Sequence, residues 1–292
     1  MAKKAKQKFE SYIAHASVKA GASAAAIQSA YKIEVRFLGG LNTAQKNAFK
    51  AAADRWSKVI VGDVPSVIVG GVVIDDLLIE AQGVPIDGPG RILGQAGPTN
   101  LRPASAGANA FLPAKGIMSF DTADLAQMQA NGTLLDVITH EMGHVIGIGT
   151  IWNLKGLLTG AGTVNPRFTG TNAKREFGIL KGTGPVVVPV ENTGGAGTRD
   201  SHWRESVFKN ELMSGFIAAP NNPISKLTVA SLKDLGYVVN MNGAEPYTLP
   251  NLQAIAESGL MLTNIEEEHA HALPILAPKI LPDESLVVGS DA

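Results

Sequence analysis

Five residues near the middle of the chain, His140-Glu141-Met142-Gly143-His144, constrain it more than any others. Histidines four apart lie on one face of an α-helix, one turn above the other, so both imidazoles can reach a single metal ion. Glu141 stands one step round the same helix, within reach of a water held by that ion. The segment must therefore fold as a helix with one face on a cleft. Two neutral ligands and a general base in five residues is the chemistry of a hydrolytic zinc centre, as in a zinc peptidase. With six histidines and 14 glutamates in 292 residues, chance yields this pattern about 0.6 per cent of the time, so the flanks must decide.

The flanks favour the helix. Leu134-Leu135-Asp136-Val137-Ile138-Thr139 leads in, and Ile138, Met142 and Val145 fall at i, i+4 and i+7, a core stripe roughly opposite the histidines. Gly147 and Gly149 follow as helix-ending signals. The plainer reading, two histidines satisfied by hydrogen bonds on an ordinary helix, is the lesser one.

Composition narrows the rest. A chain of 292 residues holds one large domain or two modest lobes. A net charge of −1 with 17% charged residues leaves no footprint for nucleic acid. The absence of cysteine excludes disulfides, zinc–thiolate sites and thiol nucleophiles. No run approaches the roughly 20 apolar residues that cross a bilayer. Four lysines stand in the first eight positions, but Ser11 to Ala30 lacks the apolar stretch of an ordinary signal peptide. Residues 1–30 read as a solvated N-terminal arm, with a helical arm, a pro-segment or an unconventional export signal as alternatives.

Strand and helix signals then alternate as in an α+β fold. Ile33, Val35 and Phe37 mark a half-buried strand. Thr43 is the expected N-cap of a helix over 44–61 that buries Phe49, Ala52, Ala53, Trp56 and Ile60. Residues 64–78 read as one or two strands, 92–96 as a short strand and 116–120 as another. Asp121 or Thr122 caps a helix to about Ala130. Residues 150–200 read as helix-poor, with a short strand at 186–190. A helix over 223–235 precedes an extended end at 236–239. Residues 31–245 are the expected catalytic domain, with lobes at 31–149 and 150–245, and 246–292 a C-terminal tail.

A hydrolytic zinc ion needs three protein ligands and one open position. Beyond His140 and His144 the histidines are His15, His202, His269 and His271. His15 lies in the arm, and His269 and His271 flank an alanine in an acidic run, where solvated roles are expected. His202 is left at even weight with Glu191, Glu205 or Glu211 as a carboxylate ligand.

Here the chain resembles the leishmanolysin-type metallopeptidases, a branch of the metzincin clan. Most metzincins carry HExxHxxGxxH. This chain has His140, Glu141, His144 and Gly147, but Thr150 stands where the third histidine would be. In the leishmanolysin branch an insertion precedes that ligand, which then appears in a His-Trp context. Ser201-His202-Trp203 is similar to it, Glu211-Leu212-Met213-Ser214-Gly215 resembles the family's Met-turn, and Leu227 to Tyr237 resembles the helix that follows. The resemblance covers roughly residues 31–240. It implies a two-lobed, metzincin-like catalytic domain: an N-terminal lobe with a mixed sheet and the active-site helix, and a loop-rich C-terminal lobe. It also implies one catalytic Zn²⁺ on His140, His144 and His202, with Glu141 as general base. Met213 then supports the ligands, and Gly147 turns the chain after the helix. Family members are often disulfide-rich and carry a signal peptide; this chain has no cysteine and no obvious signal. The expected function is a zinc endopeptidase acting on protein or peptide, secreted or extracellular by resemblance. The alternatives are a non-catalytic zinc-stabilised binding module and a hydrolase of non-peptide amides or esters. Ile117 to Phe120 is the expected strand edge for substrate, with Trp152 and Trp203 as candidate pocket residues.

Overall fold

The computed structural model describes residues 9–16, 30–88, 90, 93–195, 197–217, 219–251, 272–274 and 277–287. His269 and His271 lie outside these, as do most of 1–30 and all of 252–271.

Period-two alternation builds the main sheet. In β2 (Lys32–Gly39), Ile33, Val35 and Phe37 are buried and the residues between them half-buried. β2 pairs antiparallel with β1 (Glu10–His15) and parallel with β5 (Leu77–Val84). β5 pairs parallel with β7 (Pro113–Asp121), and β7 antiparallel with β6 (Gly94–Leu101). Two short strands, β11 (Ala272–Pro274) and β12 (Lys279–Ile280), run parallel to β6 on its other side. The result is a mixed sheet in the order β1-β2-β5-β7-β6-β11. Between β2 and β5, β3 (Val67–Val69) and β4 (Val72–Ile74) form a hairpin through Gly70-Gly71, both at positive φ.

Three expectations change here. Residues 10–15, read as part of a solvated arm, pair with the sheet. Only Ala14 of that strand is fully buried, so its alternation leaves little trace in the sequence. Ile117 to Phe120 cannot be a free edge, because β7 is paired on both sides. Residues 277–287, read as tail, lie against the sheet, with Leu281 buried beside Val67, Ile74, Leu78 and Ala114.

Helix α1 (Thr43–Val59) covers one face of the sheet through Phe49, Ala52, Ala53 and Trp56. The Phe49 ring meets Phe37 and Phe120 edge-on at 6.2 and 6.0 Å. Its N-cap is Asn42, not Thr43. The Asn42 side chain accepts from the Gln45 backbone while the Gln45 side chain accepts from the Asn42 N–H, a reciprocal box that Thr43 could not close. Helix α2 (Thr122–Asn131) is capped by Asp121, and helix α3 (Leu134–Ile146) follows at once. Ile138, Met142 and Val145 are fully buried as α3 packs on α1, β6 and β7. Helix and sheet meet at Gly116, where an added Cβ would stand 2.4 Å from Val145 Cγ1.

Among the described residues beyond α3 are a small antiparallel sheet and three α-helices. The sheet holds β8 (Leu158–Thr159), β9 (Arg167–Phe168) and β10 (Val188–Pro189). The helices are α4 (Thr171–Lys181), α5 (Glu205–Phe208) and α6 (Lys226–Leu235). Helix α4 falls in the stretch read as helix-poor. Its N-cap, Gly170, offers no side chain, and its first N–H groups donate to Asp234 of α6 instead. A cap from 62 residues away leaves no local signal. Helix α6 begins later than Pro223 because Ser225 is its N-cap, accepting from the Thr228 N–H. Val239 then makes a single bridge to Ile60 and no strand.

Candidate metal centre

Helix α3 brings His140 and His144 to the same face, with their Nε2 atoms 3.1 Å apart. The loop before α5 brings His202 to them, its Nε2 at 3.0 Å from that of His140 and 2.9 Å from that of His144. All three rings are buried. Their other nitrogens face main-chain carbonyls: Nδ1 of His140 meets Leu212 O at 2.6 Å, His144 meets Ile148 O at 2.9 Å, and His202 meets Thr198 O at 2.9 Å. A carbonyl only accepts, so each Nδ1 must carry the ring proton. In a neutral imidazole that makes every Nε2 a lone pair, and three lone pairs aimed at one point call for an electrophile between them. Around a tetrahedral zinc ion, with N–metal distances of about 2.0–2.1 Å, such nitrogens stand about 3.3 Å apart. The donor set fits zinc, and these three histidines could hold a metal ion.

Local backbone chemistry delivers His202. Helix α3 ends at Gly147, whose φ of +119° suits only glycine and whose N–H donates to Gly143 O and His144 O. Gly149, at φ +76°, then lies directly under the incoming loop: a Cβ there would stand 2.0 Å from Ser201 O. This close approach is what seats His202 against the end of α3. Thr198, four residues before His202, fixes the ring from within the same loop.

The turn around Met213 ties the three histidines together. The Trp203 N–H donates to Met213 O, and Leu212 supplies the carbonyl that holds His140. The Met213 thioether presses on α3 at Gly143, where an added Cβ would meet Sδ at 2.7 Å. Below the turn lies Glu211, fully buried. It accepts from the Met213 and Ser225 N–H groups and from the Ser225 and Thr228 hydroxyls. Burial raises its pKa and these donors oppose the rise.

The other ligand candidates fall elsewhere. Glu191 accepts from Asn192, Thr193 and Glu205 N–H groups, Glu211 serves the turn, and neither these nor Glu205 joins the three histidines. His15 is an exposed residue of the outermost strand β1. Trp152 and Trp203 are fully buried and stacked at 4.7 Å; they are core, not pocket wall.

Glu141 faces a cleft of about 340 Å³, whose lining also includes His144 and His202 together with Ala96 and Pro98 of β6 and Pro278. Burial pushes the Glu141 carboxyl up to about 8. Sequence reasoning had no access to the roles of Gly149, Gly143 and the three carbonyls. Only Gly149 carried a signal, as a glycine past a helix end.

Comparison with known proteins gives the family. The family model of Leishmanolysin (peptidase M8) matches residues 64–256, more than half of the chain. The chain belongs to the leishmanolysin family. A "Leishmanolysin homolog" of Crithidia fasciculata is 25% identical over 145 residues, 46% of this chain and 21% of that protein. A "Leishmanolysin-like peptidase" of Caenorhabditis elegans is 41% identical over 66 residues, 22% of this chain, and the Caenorhabditis briggsae protein of that name matches equally. The matched segment spans 9% of each nematode protein, so this leishmanolysin-family chain shares only a small part of its relatives' length.

Proposed function

We propose that the chain is a zinc-dependent endopeptidase, with the ion held by His140, His144 and His202 and with Glu141 as general base. The observation that carries this reading is the set of three Nδ1–H donors fixed on carbonyls, which turns three Nε2 lone pairs towards one point. When bound, zinc supplies Lewis acidity to the scissile carbonyl and acidifies water. Glu141 lines the cleft beside His144 and His202; the charge of a bound cation would hold its carboxyl ionised against the effect of burial, ready to take the proton of the attacking water. It then passes that proton to the amine nitrogen as the C–N bond breaks and the C–O bond remains. Met213 keeps the His140 side of the turn in place by packing on Gly143. Gly147 lets the chain leave the helix without crossing the cleft. In this reading residues 31–245 form a two-lobed, metzincin-like catalytic domain, its lobes meeting near Gly149. Its substrates are protein or peptide.

A zinc-stabilised binding module is the main alternative. A closed structural site takes a fourth protein ligand, and the Glu141 carboxyl lining an open cleft suits hydrolysis better. Glu141→Gln separates the two. Under the peptidase reading the variant binds zinc as tightly as wild type and loses about 10²–10⁴-fold in kcat on an unfolded protein. Equal turnover of the two proteins contradicts it.

A further inference from the structure

We propose that residues 272–274 and 277–287 act as an internal strap, occupying the sheet edge beside the cleft that an extended substrate would need. The proposal rests on the peptidase reading above. Peptidases commonly hold an extended chain by adding it to an exposed strand. Of the sheet strands, β6 supplies Ala96 and Pro98 to the wall of the cleft that holds Glu141, His144 and His202. One side of β6 is taken by β7. The other side is taken by the chain itself: Ala272, Leu273 and Pro274 pair with Gly94, Gln95 and Ala96, and Lys279 and Ile280 pair with Asn100 and Leu101. Pro278, between these two pairings, forms part of the cleft wall.

The strap is held unevenly. Its far end is firmly seated: Leu281 is buried, its N–H donates to Leu101 O at 2.9 Å, and the Val287 N–H donates to Ser66 O at 2.9 Å. Ser105 adds a hydroxyl bond of 2.6 Å to Asp283. Beside the cleft the hold is weaker. Pro274 and Pro278 have no N–H to give the ladder. Lys279 and Ile280 are exposed. Ala277 sits at φ +40°, a left-handed conformation that costs an alanine energy. A strap anchored at 281–287 and loosely paired before Leu281 can swing off β6 without leaving the protein. A substrate strand then competes with it for the same backbone groups.

The absence of cysteine permits a clean test. Asn100 and Lys279 are direct partners across the ladder, a placement suited to a disulfide, and neither lines the cleft. The double variant Asn100→Cys/Lys279→Cys is made in the full chain, with and without Glu141→Gln. Binding of fluorescein-labelled casein is read by anisotropy in the Glu141→Gln background, and cleavage is read in the other, each oxidised and reduced. We expect oxidation to weaken casein binding at least tenfold and reductant to restore it. Equal binding in both redox states, or none in either, overturns the strap. Casein bound only by the reduced form yet cut by neither would leave the strap standing and remove the peptidase reading. Casein bound and cut alike in both states would do the reverse.

Discussion

At the scale of single residues, the centre depends on small groups that place larger ones. His202 reaches His140 and His144 because Gly149 has no side chain to meet Ser201 O. Gly149→Ala therefore forces the loop outward from a position already at φ +76°. We expect zinc affinity to fall about 10–100-fold, as when a supporting group behind a metal ligand is lost, measured by competition with a chelator. His202→Ala removes a donor outright and should lose most zinc affinity; one zinc per chain at unchanged affinity would place the third ligand elsewhere. Residue chemistry was the most legible part of the sequence. His140, Glu141 and His144 are a local pattern whose meaning needs only helical geometry. His202 was not legible in that way: spacing left it level with three glutamates, and only the resemblance of Ser201-His202-Trp203 raised it. The carbonyls of Leu212, Ile148 and Thr198 belong to the backbone, so no residue type announces them.

At the scale of elements, α3 is fixed from several sides. The Trp56 indole donates to Thr139 O at 2.9 Å, Arg55 pairs with Asp136 at 3.1 Å, and the Tyr237 hydroxyl donates to Ile146 O at 2.8 Å. The turn below it depends on Glu211. Truncating Glu211 to alanine strands two buried N–H groups and two hydroxyls, each orphan costing about 1–3 kcal/mol. We expect a loss of about 3 kcal/mol or more by denaturant unfolding, with zinc affinity falling as Leu212 O drifts from His140. A loss under about 1 kcal/mol would mean that water replaces the carboxylate. Elements were legible where their signals are local. The apolar stripes of α1, α3 and α6 and the alternation of β2 all stand in the sequence. Helix α4 did not, because Asp234 caps it from α6, and β1 did not, because its one buried position, Ala14, is small. The pairing of residues 279–280 with β6 is likewise a long-range event that strand propensity cannot signal.

At the scale of the whole molecule, metal and fold are coupled. The three histidines proposed as ligands come from α3 and from a loop some 58 residues later, and these meet only in the folded chain. Zinc bound to the native state alone should stabilise it by about 2.7 kcal/mol at a hundredfold excess over Kd, read as a rise in Tm that EDTA reverses. Equal Tm with and without zinc would mean that the histidines bind it no better folded than unfolded. The most direct test of the whole account is to incubate zinc-loaded protein with casein and map the new N-termini by mass spectrometry, beside a chelated sample. The account predicts cuts within the casein chain that vanish on chelation and return with zinc. One zinc bound per chain and no new N-termini would contradict it.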